Sequence, residues 1–308
     1  MSAWSTNDLP DLTGRVALVT GGNSGIGYWT SLHLARKGAH VVLGCRSMSR
    51  AEAAVAELKA AVPSGRFEIL QMDLGDLASV RAAAETFRAR HARLDLLFNN
   101  AGIALMPMAR TKDGFESHFG ANHLGHFALT GLLIDRITAT PNARVVHVGS
   151  VAHKKGRIDH DDPNFERRAY EKWTAYQQSK LATMLFMLEL ERRFRRSGSS
   201  AISVGAHPGF SGTNISQAER GKVSPLFAAY KRLMNALVLN PPEAGAGPSL
   251  LAATAPDAGG RYYGPGGWME IKGAPAPAKI APAAQDEAEA ARVWALSERL
   301  TGVRFLDL

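Results

Sequence analysis

The chain has 308 residues, 45% hydrophobic and 21% charged, with a formal net charge of +8. That composition is that of an ordinary globular protein with enough apolar material for a large core. A single cysteine, Cys45, excludes an internal disulfide framework and a multi-cysteine zinc site, and it fits a reducing compartment. The excess of positive charge suits an anionic ligand, an acidic partner or plain solubility. Nucleic acid is not expected as a partner, because no long Lys/Arg run is interleaved with aromatics. No apolar run is long enough for a membrane span, and Met1 to Pro10 carries no apolar stretch of signal-peptide length, so the expected location is cytoplasmic.

Short β-branched runs alternate with helical patterns along the chain. Arg15 to Thr20 reads as a buried first strand, and Ile26 to Lys37 as a helix stopped at Gly38. His40 to Cys45 is a second strand, followed by a helix over Ala51 to Ala61 that ends before Pro63. Phe67 to Gln71 is a third strand, Leu77 to Arg90 a helix, and Leu94 to Phe98 a fourth strand. An irregular-to-helical stretch then runs through Asp135, and Ala143 to Val148 is a fifth strand. Trp173 to Phe194 is a long helix and Ala201 to Gly205 a sixth strand. Lys272 to Ala284, rich in Ala and Pro, is expected to be extended, and Asp286 to Leu300 helical. Such alternation implies an α/β fold: a single doubly wound, mostly parallel sheet of Rossmann type with helices on both faces. Ala152 to Lys172 and Phe210 to Leu239 interrupt the alternation after strands, where folds of this class bind ligands.

Thr20-Gly21-Gly22-Asn23-Ser24-Gly25-Ile26-Gly27 lies between the first strand and the first helix. Glycines there allow a tight turn and let the backbone approach a pyrophosphate. The helix N-terminus adds N–H donors and a favourable dipole. The strand-before, helix-after setting separates this run from a Gly-rich connector with no ligand. Selection of NAD would call for a carboxylate about 20 residues beyond the glycines, on the ribose 2′-OH. Cys45 stands there, followed by Arg46, with Arg50 nearby. A guanidinium suits a 2′-phosphate, so NADP (NADPH) is the expected cofactor and NAD the less favoured one.

Tyr176 and Lys180 are four residues apart, on one face of the long helix. A free tyrosine has a pKa near ~10, too high for efficient proton exchange at neutral pH. A lysine cation beside it favours the phenolate and brings it nearer the working range of a general acid/base. Tyr-x-x-x-Lys alone is a weak signal. Its place after the fifth strand and next to a polar insertion strengthens it.

Taken together, the glycine turn, Asn99-Asn-Ala-Gly102, Ser150, Tyr176-x-x-x-Lys180 and Pro208-Gly209 occur in the order found in the short-chain dehydrogenase/reductase family. The chain resembles that family from about Leu12 to Tyr263. Cys45-Arg46, Asn122 to Phe127, Val148 to His153 and the insertion before Tyr176 resemble its retinol dehydrogenase and WW-domain oxidoreductase branch. The resemblance implies one Rossmann-type domain over 1–308, with a core at about 12–263, a substrate-loop region at about 210–240 and a C-terminal extension at about 264–308. It implies that Tyr176 exchanges the proton of the carbinol or carbonyl oxygen, that Lys180 lowers its pKa and binds the nicotinamide ribose, and that Ser150 holds the substrate oxygen. Asn122 would help hold a water in the proton relay. Gly21, Asn23, Ser24, Gly25, Ile26 and Gly27 would line the pyrophosphate, with Arg46, Asp73 and Leu74 at the adenosine end. Asn100, Ala101 and Gly102, then Pro208, Gly209 and Thr213, would complete the cofactor site, Thr213 on the carboxamide. The hydride belongs to the cofactor. Two departures from the family pattern are Gly149-Ser150 in place of a serine pair and a long gap between Ser150 and Tyr176.

Other features are weaker. His118, His123 and His126 lie close together, but no cysteine or carboxylate cluster completes a metal site, and none is expected. His153 would line the substrate mouth or lie exposed. Trp173 and the face from Met184 to Leu190 read as core and as a candidate subunit interface. Phe210, Phe227, Tyr230 and Leu233 form a substrate lid or simply pack a loop. The expected activity is NADP(H)-dependent hydride transfer between nicotinamide and a small lipophilic alcohol, aldehyde or ketone. Two alternatives stand beside it. One is a ketoreductase of carrier-bound acyl chains, with Arg192, Arg193, Arg195 and Arg196 docking an acidic carrier. The other is a non-catalytic NADP-binding interaction protein. The family resemblance also implies a homodimer or homotetramer.

Overall fold

Eight strands form one sheet in the order β3-β2-β1-β4-β5-β6-β7-β8 in the computed structural model, which describes residues 3–209 and 240–307. The strands are β1 (Val16–Thr20), β2 (His40–Cys45), β3 (Arg66–Gln71), β4 (Leu96–Asn99), β5 (Arg144–Val148), β6 (Ile202–Ala206), β7 (Tyr262–Pro265) and β8 (Pro275–Pro277). All neighbours are parallel except β8, which runs antiparallel to β7 at the edge. The helices that cover the sheet are α1 (Gly25–Arg36), α2 (Met48–Ala61), α3 (Leu77–Arg90), α4 (Gly125–Leu132), α5 (Ile134–Thr138), α6 (Lys172–Arg196), α7 (Pro242–Thr254), α8 (Pro282–Gln285) and α9 (Glu287–Thr301).

Near-continuous apolar runs are what a sheet buried on both faces requires. Alternate residues of each strand serve opposite faces. Ala17 and Val19 of β1, Val41 and Leu43 of β2 and Phe98 of β4 pack with Leu34 of α1, Leu58 of α2 and Leu250 of α7. Leu18, Val42 and Leu97 pack with Phe87 of α3, Phe127 of α4 and Phe186 of α6. The C-terminal helix α9 joins this second layer through Trp294. Its ring centroid lies 5.1 Å from Phe127 and 5.7 Å from Phe186, aromatic pairs worth about 0.5–1.5 kcal/mol each beyond their buried area.

The chain runs outward from β1 to β2 and β3, then returns to β4 on the other side of β1. This reversal opens a crevice between the carboxyl ends of β1 and β4, the place where open α/β sheets bind ligands. Several helix starts are closed by side chains: Asp76 accepts from Ala78 and Ser79 at α3, Glu171 from Trp173 and Thr174 at α6, and Asp286 from Glu289 at α9. Ser24 makes no such bond at α1, so the first-turn N–H groups at the crevice keep their donor capacity.

Two expectations differ from the structure. Lys272 to Ala284 is not simply extended, since it supplies both β8 and α8. Trp173 is not core: it is 47% exposed. The face from Met184 to Leu190 is deeply buried, apart from a partly exposed Leu188. Among the described residues, no helix is long and apolar enough to cross a membrane.

Candidate active site

The glycine turn wraps over the end of β1. Gly21 adopts φ +67° and Gly25 φ +54°, left-handed conformations that glycine tolerates without strain. Gly27 has a steric role. A Cβ there would lie 2.3 Å from the Gly21 carbonyl oxygen and 2.6 Å from Asn100 Nδ2, so only glycine lets α1 sit this close to the turn. Gly27→Ala is therefore expected to destabilise the fold by about 1–3 kcal/mol and to weaken dinucleotide binding with it. Urea denaturation and a dinucleotide titration read the two effects, and an alanine variant unchanged in both would contradict the close approach.

Thr20 ties the turn to β4. Its hydroxyl oxygen accepts from the backbone N–H groups of Asn100 and Ala101, both at 2.9 Å, and Asn100 Nδ2 donates to the Thr20 carbonyl at 2.7 Å. His126 Nε2 lies 2.9 Å from the same hydroxyl, and its Nδ1 lies 3.0 Å from the Asn122 carbonyl. Burial drives His126 down to about 4, so the ring is neutral. Nδ1 then carries the proton donated to Asn122, and Nε2 is free to accept from Thr20. In the sequence, Thr20 is read only as the start of the glycine turn and His126 only with the discounted histidine cluster, so this bracing role is not anticipated there. The one signal for Thr20 was a hydroxyl closing an otherwise apolar strand.

At the end of β2, the Cys45 thiol is buried under the turn, near the N–H groups of Gly22 and Asn23. Desolvation pushes it up to about 11, despite those donors and the nearby Arg50, so it is uncharged. Arg46 projects into solvent, with 71% of its side chain exposed, and its Nη1 lies 3.9 Å from an Asp73 oxygen. The other Asp73 oxygen accepts from the Gly75 N–H at 2.9 Å. Leu74 packs against Gly125 of α4, so close that a Cβ on Gly125 would meet the Leu74 carbonyl at 2.4 Å.

From the glycine turn, the segment Asn100 to Ile103 leads to Tyr176 and Lys180. Asn122 lies in a wide π-type turn, Phe119–Leu124, a local widening that recurs at functional sites. Its Oδ1 accepts from the Ile103 N–H at 2.8 Å, while its Nδ2 donates to the Ile103 carbonyl and the Ser179 hydroxyl, each at 3.0 Å. The side chain is thus largely a brace, with one lone pair left on Oδ1. A Cβ on Gly102 would lie 3.2 Å from that Oδ1 and 3.7 Å from Lys180 Nζ, so both atoms face the space Gly102 leaves open.

Lys180 is buried, and its ammonium donates to the Val148 carbonyl at 2.9 Å. Desolvation lowers it to about 8. Its nitrogen lies 5.9 Å from the centre of the Tyr176 ring. Desolvation also dominates at Tyr176, pushing the phenol above its ordinary value, and the neighbouring Ser150 hydroxyl offsets this only in part. The phenol is therefore protonated at neutral pH, in contrast to the lowering expected from Lys180. The long insertion between Ser150 and Tyr176 leaves these two side chains together because it folds onto the start of α6. Gln178 donates to the Pro163 carbonyl at 2.9 Å, and Arg168 donates to Gln178 Oε1 at 2.7 Å. Glycine at 149 also has a cause: a Cβ there would lie 2.8 Å from the buried Tyr262 hydroxyl and 2.9 Å from Met184 Sδ.

Pro208 and Gly209 follow β6. Gly209 has φ +68°, and Asn240 Nδ2 donates to the Pro208 carbonyl at 3.1 Å and to the Ile271 carbonyl at 2.7 Å. Thr213, Phe210, Phe227, Tyr230 and Leu233 lie outside the described residues. His153 neither lines a mouth nor lies exposed. It is buried, its Nδ1 on the Ser150 carbonyl and its Nε2 accepting from the Ala281 N–H at 3.1 Å. Among the described residues, no group of three or more His, Cys, Asp or Glu side chains is arranged to hold a metal. His118 and His123 have protein partners instead, Glu116 and Ser297.

A doubly wound sheet with this crevice and a Ser/Tyr/Lys cluster defines a dinucleotide-dependent oxidoreductase architecture, and the comparisons agree. The family described as "short chain dehydrogenase" matches residues 15–223, and the chain belongs to it. Within the family it falls in a retinol dehydrogenase-like branch. Retinol dehydrogenase 13 of Homo sapiens is 38% identical over 304 residues, covering 95% of this chain and 86% of that protein. Polyprenol dehydrogenase of Mus musculus is 40% identical over 301 residues, covering 96% and 86%. A crystal structure from Mycobacterium Paratuberculosis, 39% identical, superposes with a TM-score of 0.82 over 99% of both chains.

Proposed function

We propose that the protein is an NADP(H)-preferring reductase of lipophilic aldehydes or ketones, with Tyr176 as the proton donor. The observation that carries this reading is the partly buried Tyr176 phenol, with the Ser150 hydroxyl beside it and the Lys180 ammonium close by, next to a crevice with an uncapped helix start. The residues fit a dinucleotide: the close turn at Gly27, the free first-turn amides of α1 and the open space at Gly102 leave room and donors for one. When bound, the nicotinamide supplies or takes the hydride.

The chain's own groups then handle the oxygen. Ser150 donates a hydrogen bond to the carbonyl oxygen and orients it beside Tyr176. As charge builds on that oxygen, the Tyr176 O–H transfers its proton to it, and a phenol held above its ordinary pKa has that proton at neutral pH. The Lys180 ammonium stabilises the phenolate left behind. A water between Asn122 Oδ1 and Lys180 Nζ, beside Gly102, would return the proton.

Cofactor choice rests on Cys45 and Arg46. The thiol is buried and neutral, so no carboxylate faces a ribose 2′-OH at the end of β2, while the exposed Arg46 guanidinium suits a 2′-phosphate. Arg46→Ala should weaken NADPH binding about tenfold or more and leave NADH binding nearly unchanged. Thermal stabilisation by each dinucleotide reads this, and an unaltered NADPH/NADH ratio would remove Arg46 from the selection. The carrier-docking alternative loses support because Arg192 and Arg193 both pair with Glu189 at 2.9 Å and Arg195 pairs with Glu191 at 2.8 Å. A purely binding protein has no need of a serine hydroxyl beside the Tyr176 phenol or of a buried lysine.

A further inference from the structure

The mechanism leaves unused a buried carboxylate and imidazole next to Tyr176. Glu116 and His118 are both fully buried. Glu116 Oε1 takes the His118 ring at 2.8 Å and its backbone N–H at 2.9 Å, and Oε2 accepts from the Phe119 N–H at 2.8 Å. Burial alone would push this carboxyl up, but those donors outweigh it and hold the carboxyl below its usual range. The tautomer of His118 follows: Nδ1 donates to the carboxylate, and Nε2 accepts from the Met106 N–H at 3.2 Å.

Tyr170 completes the arrangement. Its O–H donates to the Met106 carbonyl at 2.9 Å, so both polar groups of the Met106 backbone end on this cluster. Asn164 Oδ1 accepts the Glu116 N–H at 3.0 Å. Asn164 and Tyr170 belong to the insertion before α6, whereas Met106 belongs to the segment after β4. The cluster therefore stitches together the two segments that flank the phenol. The His118 ring stands edge-on to the Tyr176 ring, with centroids 6.0 Å apart, and the Trp173 ring does so at 6.4 Å.

We propose that Glu116, His118 and Tyr170 form a positioning latch that holds the Tyr176 ring in place and fixes Met106 as an apolar contact for the hydrocarbon chain of the substrate. The proposal rests on Tyr176 being the proton donor. Met106 and Met108 are two of the few exposed large apolar side chains among the described residues, at 36% and 39%, and both lie in the latched segment. Methionine adapts its shape to an irregular apolar ligand, but only if its backbone is held. A buried, multiply bonded carboxylate supplies that hold.

Tyr170→Phe removes one hydroxyl and keeps the ring, and Glu116→Gln removes the charge. Two readouts on the full chain test the latch. Amide hydrogen exchange over residues 103–108 should accelerate about tenfold or more in both variants while β4 stays protected. The ratio of kcat/KM for decanal to that for butanal, with NADPH, should fall about tenfold. Unchanged exchange, or faster exchange with the decanal preference intact, would overturn the proposal. If the unmodified protein reduces neither aldehyde, it is the functional reading that fails, and the exchange measurement then decides the latch by itself.

Discussion

Tyr176→Phe is expected to lower carbonyl reduction by a factor on the order of a thousand while NADPH binding is retained. The change deletes one oxygen. The ring remains between His118 and Trp173, and Lys180 keeps its bond to the Val148 carbonyl. What is lost is the proton that must reach the substrate oxygen as charge develops there, a contribution of about 10²–10⁴-fold in general acid catalysis. Ser150 retains a hydroxyl, but a serine hydroxyl is too weak an acid to replace the phenol. NADPH oxidation followed by absorbance reads turnover, and a binding titration reads the dinucleotide site. Turnover within a few-fold of the parent would remove Tyr176 from the mechanism. Loss of binding together with turnover would mean that the substitution had damaged the crevice instead.

Acid is expected to destabilise the protein well before its carboxylates titrate. His123 and His147 are fully buried and driven by desolvation to about 3, and His126 to about 4. Unfolded, each would titrate near ~6.5. Between those values the unfolded chain binds more protons than the folded one, so stability rises with pH through this window and falls as pH drops from about 6.5 towards 4. Each ring contributes up to about 1.4 kcal/mol per pH unit, so from pH 7 to pH 5 the three together remove several kcal/mol, a large share of ordinary domain stability. The lowered Asp95 and Glu116 add to the loss only at still lower pH. Urea denaturation midpoints at pH 7 and pH 5 measure this, and equal midpoints would contradict it. His147→Leu should shrink the difference by roughly a quarter, because His207, also lowered by desolvation to about 4, makes it one of four comparable sites. Neither of the His147 ring nitrogens has a hydrogen-bond partner among the described residues.

The parallel sheet was legible because β1, β2, β4 and β5 are uninterrupted apolar runs, and the glycine turn because it sits between one of them and a helix. Ser150, Tyr176 and Lys180 were found by their order along the chain, which carries no distance information. Their pairing depends on the 156–171 insertion folding back onto α6. Helix α7 was missed because Gly245, Gly247 and Pro248 lie inside it, and local propensity opposes a helix there. Packing overrides that preference: small residues let α7 lie close to its neighbours, and a Cβ on Gly247 would lie 2.8 Å from Pro275. Glu116 and His118 were illegible for a different reason. A carboxylate and an imidazole two residues apart look like a solvated surface until tertiary structure buries both. The direction of the Tyr176 shift differs from the expected lowering because spacing reveals a neighbouring cation but not the desolvation at the phenol.

Determining the structure of the protein with bound NADP+ tests the central claim most directly. The nicotinamide ring should lie beside Tyr176, with Lys180 within reach of its ribose, the pyrophosphate over the glycine turn and Arg46 on the 2′-phosphate. A dinucleotide bound away from the β1–β4 crevice, or a Tyr176 hydroxyl turned from the nicotinamide into solvent, would contradict the account.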